Sequence, residues 1–157
     1  MIRKFVAQDL DPVRDILVKS AVFSTEEIVV ALEVIEVYLR DPKQQDYDLY
    51  TAVDDQEKIV GYLCIGPTPI SNGTFDLYWI VVHPESHGKG IGRELLKFAE
   101  GLVKSRRGRL VVAETSSLPR YEEARRFYEA NHYNVLARIK EYYNVGDDLV
   151  IYGKYFQ

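Results

Sequence analysis

The 157 residues carry 24 acidic and 20 basic side chains, a formal net charge of −4, and 46% of them are apolar. A chain of this size hides about 70% of the surface its unfolded form exposes, so one compact soluble domain over 1–157 is expected without a disulfide or metal staple. The single cysteine, Cys64, cannot form an intrachain disulfide, no Cys/His cluster has zinc-ligand spacing, and neither an apolar leader nor a bilayer-long apolar run is present. A reducing, cytoplasmic setting with no metal and no membrane is expected. The mildly acidic balance, without a long basic run, argues against nucleic acid as the partner and leans toward a cationic substrate.

In chain order, Ile2 to Val6 reads as a short strand, and Asp9 or Asp11 caps a helix running to about Ser20, with Pro12 in its first turn. Ser24-Thr25-Glu26-Glu27 has capping-box spacing. The repeat Ile28, Leu32, Ile35, Leu39 then predicts an amphipathic helix ending near Asp41-Pro42. Leu49 to Val53 and Lys58 to Ile65 form a hairpin around Asp54-Asp55-Gln56-Glu57. After the breaker-rich Gly66 to Gly73, the aromatic and β-branched run Thr74 to Val82 is a strand ended by His83-Pro84. Gly90 to about Arg106 is helical, with Ile91, Leu95, Phe98 and Leu102 on one face and Gly108 as its stop. Arg109 to Glu114 is a strand and Pro119 to about Asn131 the last helix. Tyr133 to Tyr143 and Asp148 to Phe156 close the chain as two strands joined through Asn144-Val145-Gly146-Asp147. The order β-α-α-β-β-β-α-β-α-β-β, with its consecutive hairpins, argues against a doubly wound parallel sheet.

One loop carries chemistry. His87-Gly88-Lys89-Gly90-Ile91-Gly92-Arg93 joins a buried strand to a helix through three alternating glycines. Glycines let the backbone approach a ligand and turn successive N–H groups into one concavity, and a helix amino terminus favours an anion there. Lys89 and Arg93 add positive charge, and no acid intervenes. This composition fits a diphosphate cradle. A Walker A loop fails because Gly90 stands where Ser or Thr is needed, and G-x-G-x-x-G fails because Arg93 stands at its third glycine. The remaining match is Gln/Arg-x-x-Gly-x-Gly/Ala.

With that loop, Tyr121-Glu122-Glu123-Ala124-Arg125-Arg126-Phe127-Tyr128-Glu129-Ala130-Asn131-His132-Tyr133 looks like the Asn-x-x-Ala-x-x-Phe-Tyr-x-x-x-Gly-Phe/Tyr stretch of a known family. The chain resembles the GNAT superfamily of acetyl-CoA-dependent N-acetyltransferases over nearly all its length. Three positions depart from the family pattern: His87 replaces Arg or Gln, Tyr121 replaces Asn, and His132 falls where Gly is common. The resemblance implies a single-domain mixed α/β fold, with about four helices around a splayed, mostly antiparallel sheet of about seven strands. It implies acetyl-CoA as donor and an amine as acceptor, in a monomer or homodimer, with no metal. The cofactor arm would pair with the backbone of Ile80, Val81 and Val82, cross the cradle of His87 to Arg93, and be bordered by Ser116, Tyr121 and Ala124.

Tyr128 matches the family's tyrosine acid, and Tyr121, Ala124 and Tyr128 share a helix face at i, i+3 and i+7. A phenol of pKa about 10 can donate to a leaving thiolate. Asp76 and Tyr78 should share the strand face of Ile80 by period-2 alternation. Asp76 is then a candidate base, similar in position to the glutamate base of some members, and Glu114 is a second. A backbone N–H near Val82 would meet the oxyanion. Cys64 reads as a core residue, His83 as turn chemistry, His132 as a helix-end residue and Arg106, Arg107 and Arg109 as helix-dipole partners. Tyr142, Tyr143, Tyr152 and Tyr155 either fill the core or line an acceptor pocket. On the same scaffold, a non-catalytic acyl-CoA-binding module is the rival reading.

Overall fold

The computed structural model describes all 157 residues. In it, β1 (Ile2–Lys4), α1 (Leu10–Lys19), α2 (Thr25–Arg40), β2 (Asp48–Val53), β3 (Ile59–Pro67), β4 (Thr74–Val82), α3 (Ile91–Ser105), β5 (Leu110–Ser116), α4 (Glu122–Ala130), β6 (Asn134–Asn144) and β7 (Asp147–Tyr155) follow one another. One mixed sheet takes all seven strands in the order β1-β2-β3-β4-β5-β7-β6. Every neighbouring pair is antiparallel except β4 with β5. This is the single-domain α/β architecture expected above, and no helix is long and apolar enough to cross a membrane.

Helices cover both faces, which is why β3 reads as an unbroken apolar run and is buried from Ile59 through Gly66. Its side chains alternate: Tyr62 and Cys64 join Val13, Ile16, Leu17, Ala31 and Ile35 of α1 and α2, while Leu63 and Ile65 join Leu95, Leu96, Ala99 and Val103 of α3. Burial pushes the Cys64 thiol up to about 12, so it is the inert core residue its context suggested. At Gly61 a Cβ would stand 2.9 Å from Leu95 Cδ1, so glycine is what lets α3 lie close against the sheet.

Several local expectations need adjustment. Asp9 caps α1 with no side-chain bond. It sits buried in a short 3₁₀ turn, where Arg3 donates to both its oxygens (2.7 and 2.9 Å) and Val6 N–H donates at 3.0 Å. On α3 the fully buried ridge is Leu95, Ala99 and Val103 with Leu96, and Phe98 and Leu102 are only partly covered. The period holds and the phase differs because small Ala99 admits the closest approach. Arg106 does more than face a helix dipole, donating to Asp48 at 2.6 Å, and Arg109 donates to Asn72 O at 2.7 Å. By contrast, the capping box holds as expected: Glu27 N–H donates to Ser24 Oγ at 3.2 Å and Ser24 N–H to Glu27 Oε2 at 2.6 Å. His132 ends α4 at φ +68°, the left-handed conformation that explains why glycine is common there.

Candidate active site

The site begins where the sheet fails to close. β4 pairs with β5 only over Thr74–Asp76 and Leu110–Val112. Farther along, β4 carries one extra residue against β3, since Cys64 faces Trp79 while Ile65 faces Leu77, leaving Tyr78 unpaired. Such a bulge bends and twists its strand, and here it accompanies the separation of β4 from β5. It also breaks the period-2 reading. Phe75 and Leu77, then Ile80 and Val82, pack on the α3 side, and Trp79 and Val81 pack toward α1 and α2. The bulge therefore breaks the expected side-chain register between Asp76 and Ile80.

The same geometry exposes backbone. His83 N–H donates to Val60 O at 2.8 Å, so alternation turns the amide groups of Val81 toward β3 and those of Ile80 and Val82 into the opening. Strand ends of this kind can accept an extended ligand arm through main-chain hydrogen bonds.

Next comes the cradle. Gly88 and Gly90 have φ of +77° and +81°, and a Cβ built on either would meet nothing within 4 Å, so the space above both is open. The first helical bond of α3 is Glu94 N–H to Gly90 O at 3.0 Å, which leaves the N–H groups of Ile91, Gly92 and Arg93 ahead of it, without helical acceptors. Gly92 has a different duty: a Cβ there would lie 3.3 Å from Phe127 Cε2, so this glycine lets α3 approach α4. Lys89 and Arg93 are exposed alongside. The His87 ring turns back to Val82 O (Nε2 at 3.0 Å) and lies 3.6 Å from Glu123 through Nδ1, tying the loop to β4 and α4.

A cleft of about 830 Å³ runs from this edge between β4, β5, the start of α2, the start of α4 and the β6–β7 turn. Tyr128, Asp76, Glu114, Ile80, Ser116, Tyr121 and Ala124 all line it, so the face shared by Tyr121, Ala124 and Tyr128 is realised. Tyr128 is 7% exposed and is held by Phe127, Tyr133 and Tyr152, with ring centroids at 5.6, 5.7 and 5.5 Å. Its hydroxyl has no protein partner and belongs to the cleft wall. Burial holds that phenol above its ordinary value. Asp76 accepts from Thr68 Oγ1 at 2.7 Å, with the Tyr78 hydroxyl at 3.5 Å. Glu114 receives no hydrogen bond, and desolvation, helped by the Asp76 charge, holds its carboxyl above the ordinary value. The Ser116 hydroxyl is engaged elsewhere, donating to Asp147 and accepting from Leu118 N–H at 3.0 Å.

The sequence profile described as an acetyltransferase (GNAT) domain matches residues 45–135, more than half of the chain. The chain belongs to the GNAT acetyltransferase family. A Desulfovibrio desulfuricans structure, assigned as an acetyltransferase of the GNAT family, is 37% identical with a TM-score of 0.92, covering 99% of this chain and 98% of that one. The ribosomal-protein-S18-alanine N-acetyltransferase of Escherichia coli gives 17% identity and 0.76, over 98% and 91%. An aminoglycoside 6′-N-acetyltransferase complexed with coenzyme A gives 18% and 0.75, over 99% and 96%. The latter two share the fold. No curated protein sequence matches the chain.

For this GNAT member, sequence reasoning missed most of the wall opposite the cradle, Tyr143 excepted. Phe23, Glu26, Glu27 and Val30 come from the start of α2 and the loop before it, Trp79 from β4, and Tyr143 and Asp147 from the last hairpin. Tyr121 donates its hydroxyl to Glu27 Oε1, closing a clasp between α4 and α2 across the cleft. The capping box offered a signal for Glu27, because its position at a helix start was legible. Nothing in the sequence pairs residue 27 with residue 121. Of the four tyrosines left open, Tyr143 lines the cleft and Tyr152 is core, while Tyr142 and Tyr155 are exposed.

Proposed function

We propose that this protein transfers an acetyl group from acetyl-CoA to a primary amine of a small molecule or peptide by direct attack in a ternary complex. The observation that carries this reading is the Tyr128 hydroxyl, unpartnered and nearly buried, on the wall of the cleft that Ile80, with its unpaired amide groups, also lines. The residues present fit the donor. Open space over Gly88 and Gly90 and three N–H groups of α3 suit a diphosphate, with Lys89 and Arg93 adding charge.

When bound, acetyl-CoA supplies the thioester carbonyl and a thiolate leaving group. The amide groups of Ile80 would hold its arm, and the Val82 N–H would stabilise negative charge developing in the opening. Glu114 is the better candidate base, because it is free of hydrogen bonds and its raised carboxyl is closer to an amine's needs than an ordinary carboxylate. Asp76, held by Thr68, would act through its charge on Glu114. Tyr128 keeps its proton throughout the neutral range. Since its phenol lies above about 10 and a thiol near about 8.5, complete transfer to sulfur is uphill, and its main action is a hydrogen bond to the departing thiolate.

The test is release of free thiol from acetyl-CoA with a panel of amines, alongside direct binding of acetyl-CoA. Amine-dependent release supports the reading. Tight acetyl-CoA binding with no release for any amine would replace it with the non-catalytic acyl-CoA-binding module.

A further inference from the structure

The cleft carries an uncompensated charge. Glu26, Glu27, Asp76, Glu114 and Asp147 line it, and Arg120 is the single cation among its lining residues. None of the five carboxylates takes part in an ion pair. Three have neutral donors that leave the charge in place: Tyr121 and Ser24 N–H on Glu27, Ser116 on Asp147, and Thr68 on Asp76. Arg120 stands over the Tyr121 ring at 5.2 Å instead of on a carboxylate. The five do not converge into a metal-binding group.

Two further observations separate this from a merely wet acidic surface. Tyr128, 7% exposed, directs an unpartnered hydroxyl into the same cleft, which marks it as built for a ligand. Aromatic rings, Trp79, Tyr78 and Tyr143 among them, line the same cleft as the carboxylates, and ring faces attract cations. A concave wall of low polarisability focuses the field of such charges on whatever enters.

The chemistry then discriminates among amines. An attacking amine must be neutral, so the reacting nitrogen cannot compensate the carboxylates at the moment of attack. A second positive charge on the same molecule can. We infer that the acceptor is a small aliphatic diamine or polyamine, whose second ammonium stays charged against the Glu26, Asp147 and aromatic wall while the first is acetylated. This rests on the acetyl-transfer reading above.

Trp79, the chain's one tryptophan, lies in the cleft wall, so its emission reports occupancy without catalysis. The intact protein is titrated with N,N,N′,N′-tetramethyl-1,4-diaminobutane, a dication that forms no stable amide, and with N,N-dimethylbutylamine, a monocation of similar bulk. Calorimetry is the second readout. The dication is expected to bind about tenfold more tightly, by an advantage that shrinks with added salt and falls at least twofold in Glu26→Gln. Binding of the two within threefold of each other, or no binding by either readout, would overturn the inference. Acetyl transfer to monoamines as efficient as to diamines would also overturn it and leave the proposed function standing. Selective dication binding without turnover of any amine would do the reverse.

Discussion

The two walls of the cleft are built by different means. The wall proposed to hold the donor is made of backbone: the amide edge of Ile80 and Val82, the open glycines 88 and 90, and the first N–H groups of α3. The opposite wall is made of side chains from segments far apart in sequence, Phe23 to Val30, Asp76 to Trp79, Glu114, Tyr143 and Asp147. A backbone wall tolerates exchange of the side chains around it, so His87 can turn to Val82 O and Tyr121 to Glu27 while the cradle keeps its shape. A side-chain wall changes its ligand with almost any substitution. On the proposed reading, the donor side of this cleft should therefore withstand substitutions that the acceptor side would not.

The largest effect should come from spoiling the backbone wall. Gly90→Val puts a β-branched side chain at φ +81° over an open cradle, where its Cβ clashes with nothing in the fold. Acetyl-CoA affinity by calorimetry is expected to fall by about 100-fold, from backbone strain and lost approach of the diphosphate, with the far-ultraviolet circular dichroism unchanged. An equally large loss of acceptor binding would break the distinction between the walls.

Glu114→Gln tests the other wall and carries a sign in pH. It should lower kcat by about 10- to 100-fold with little change in acetyl-CoA binding. Because its folded carboxyl is raised, the folded state favours the protonated form. Stability from this group is full below the ordinary value of 4.5 and is lost as pH rises through the folded value. The glutamine variant should thus melt about 1–2 °C higher at pH 7 and no higher than the parent at pH 4.

A smaller effect is expected from Tyr121→Phe, which removes the hydroxyl from Glu27 and opens the clasp between the walls. A stability loss of about 1 kcal/mol in urea melts should accompany an acceptor KM raised about threefold, with acetyl-CoA binding unchanged. A shift confined to acetyl-CoA binding would assign Tyr121 to the donor wall instead.

How much of this was legible follows the same division. Thr74 to Val82 as a strand, the glycine loop and the Tyr121-Ala124-Tyr128 face are local patterns, and all three stand in the structure. The bulge at Tyr78 left no trace in the alternation of TFDLYWIVV, so the expected shared register of Asp76 and Ile80 failed. The hydroxyls of Ser116 and Tyr121 are held by Asp147 and Glu27, partners 31 and 94 residues away in sequence. Contacts of that range are decided by tertiary docking, and no spacing rule reaches them. The α3 ridge missed its phase by one residue because Ala99 governs the depth of approach.

In the proposed reaction Tyr128, alone among twelve tyrosines, serves chemistry from a nearly sealed position. The decisive measurement is single-turnover acetyl transfer by Tyr128→Phe, taken together with acetyl-CoA affinity. The transfer rate should be lower by about 100-fold or more, with affinity within twofold of the parent. Undiminished transfer at undiminished affinity would contradict it and return Tyr128 to the aromatic core.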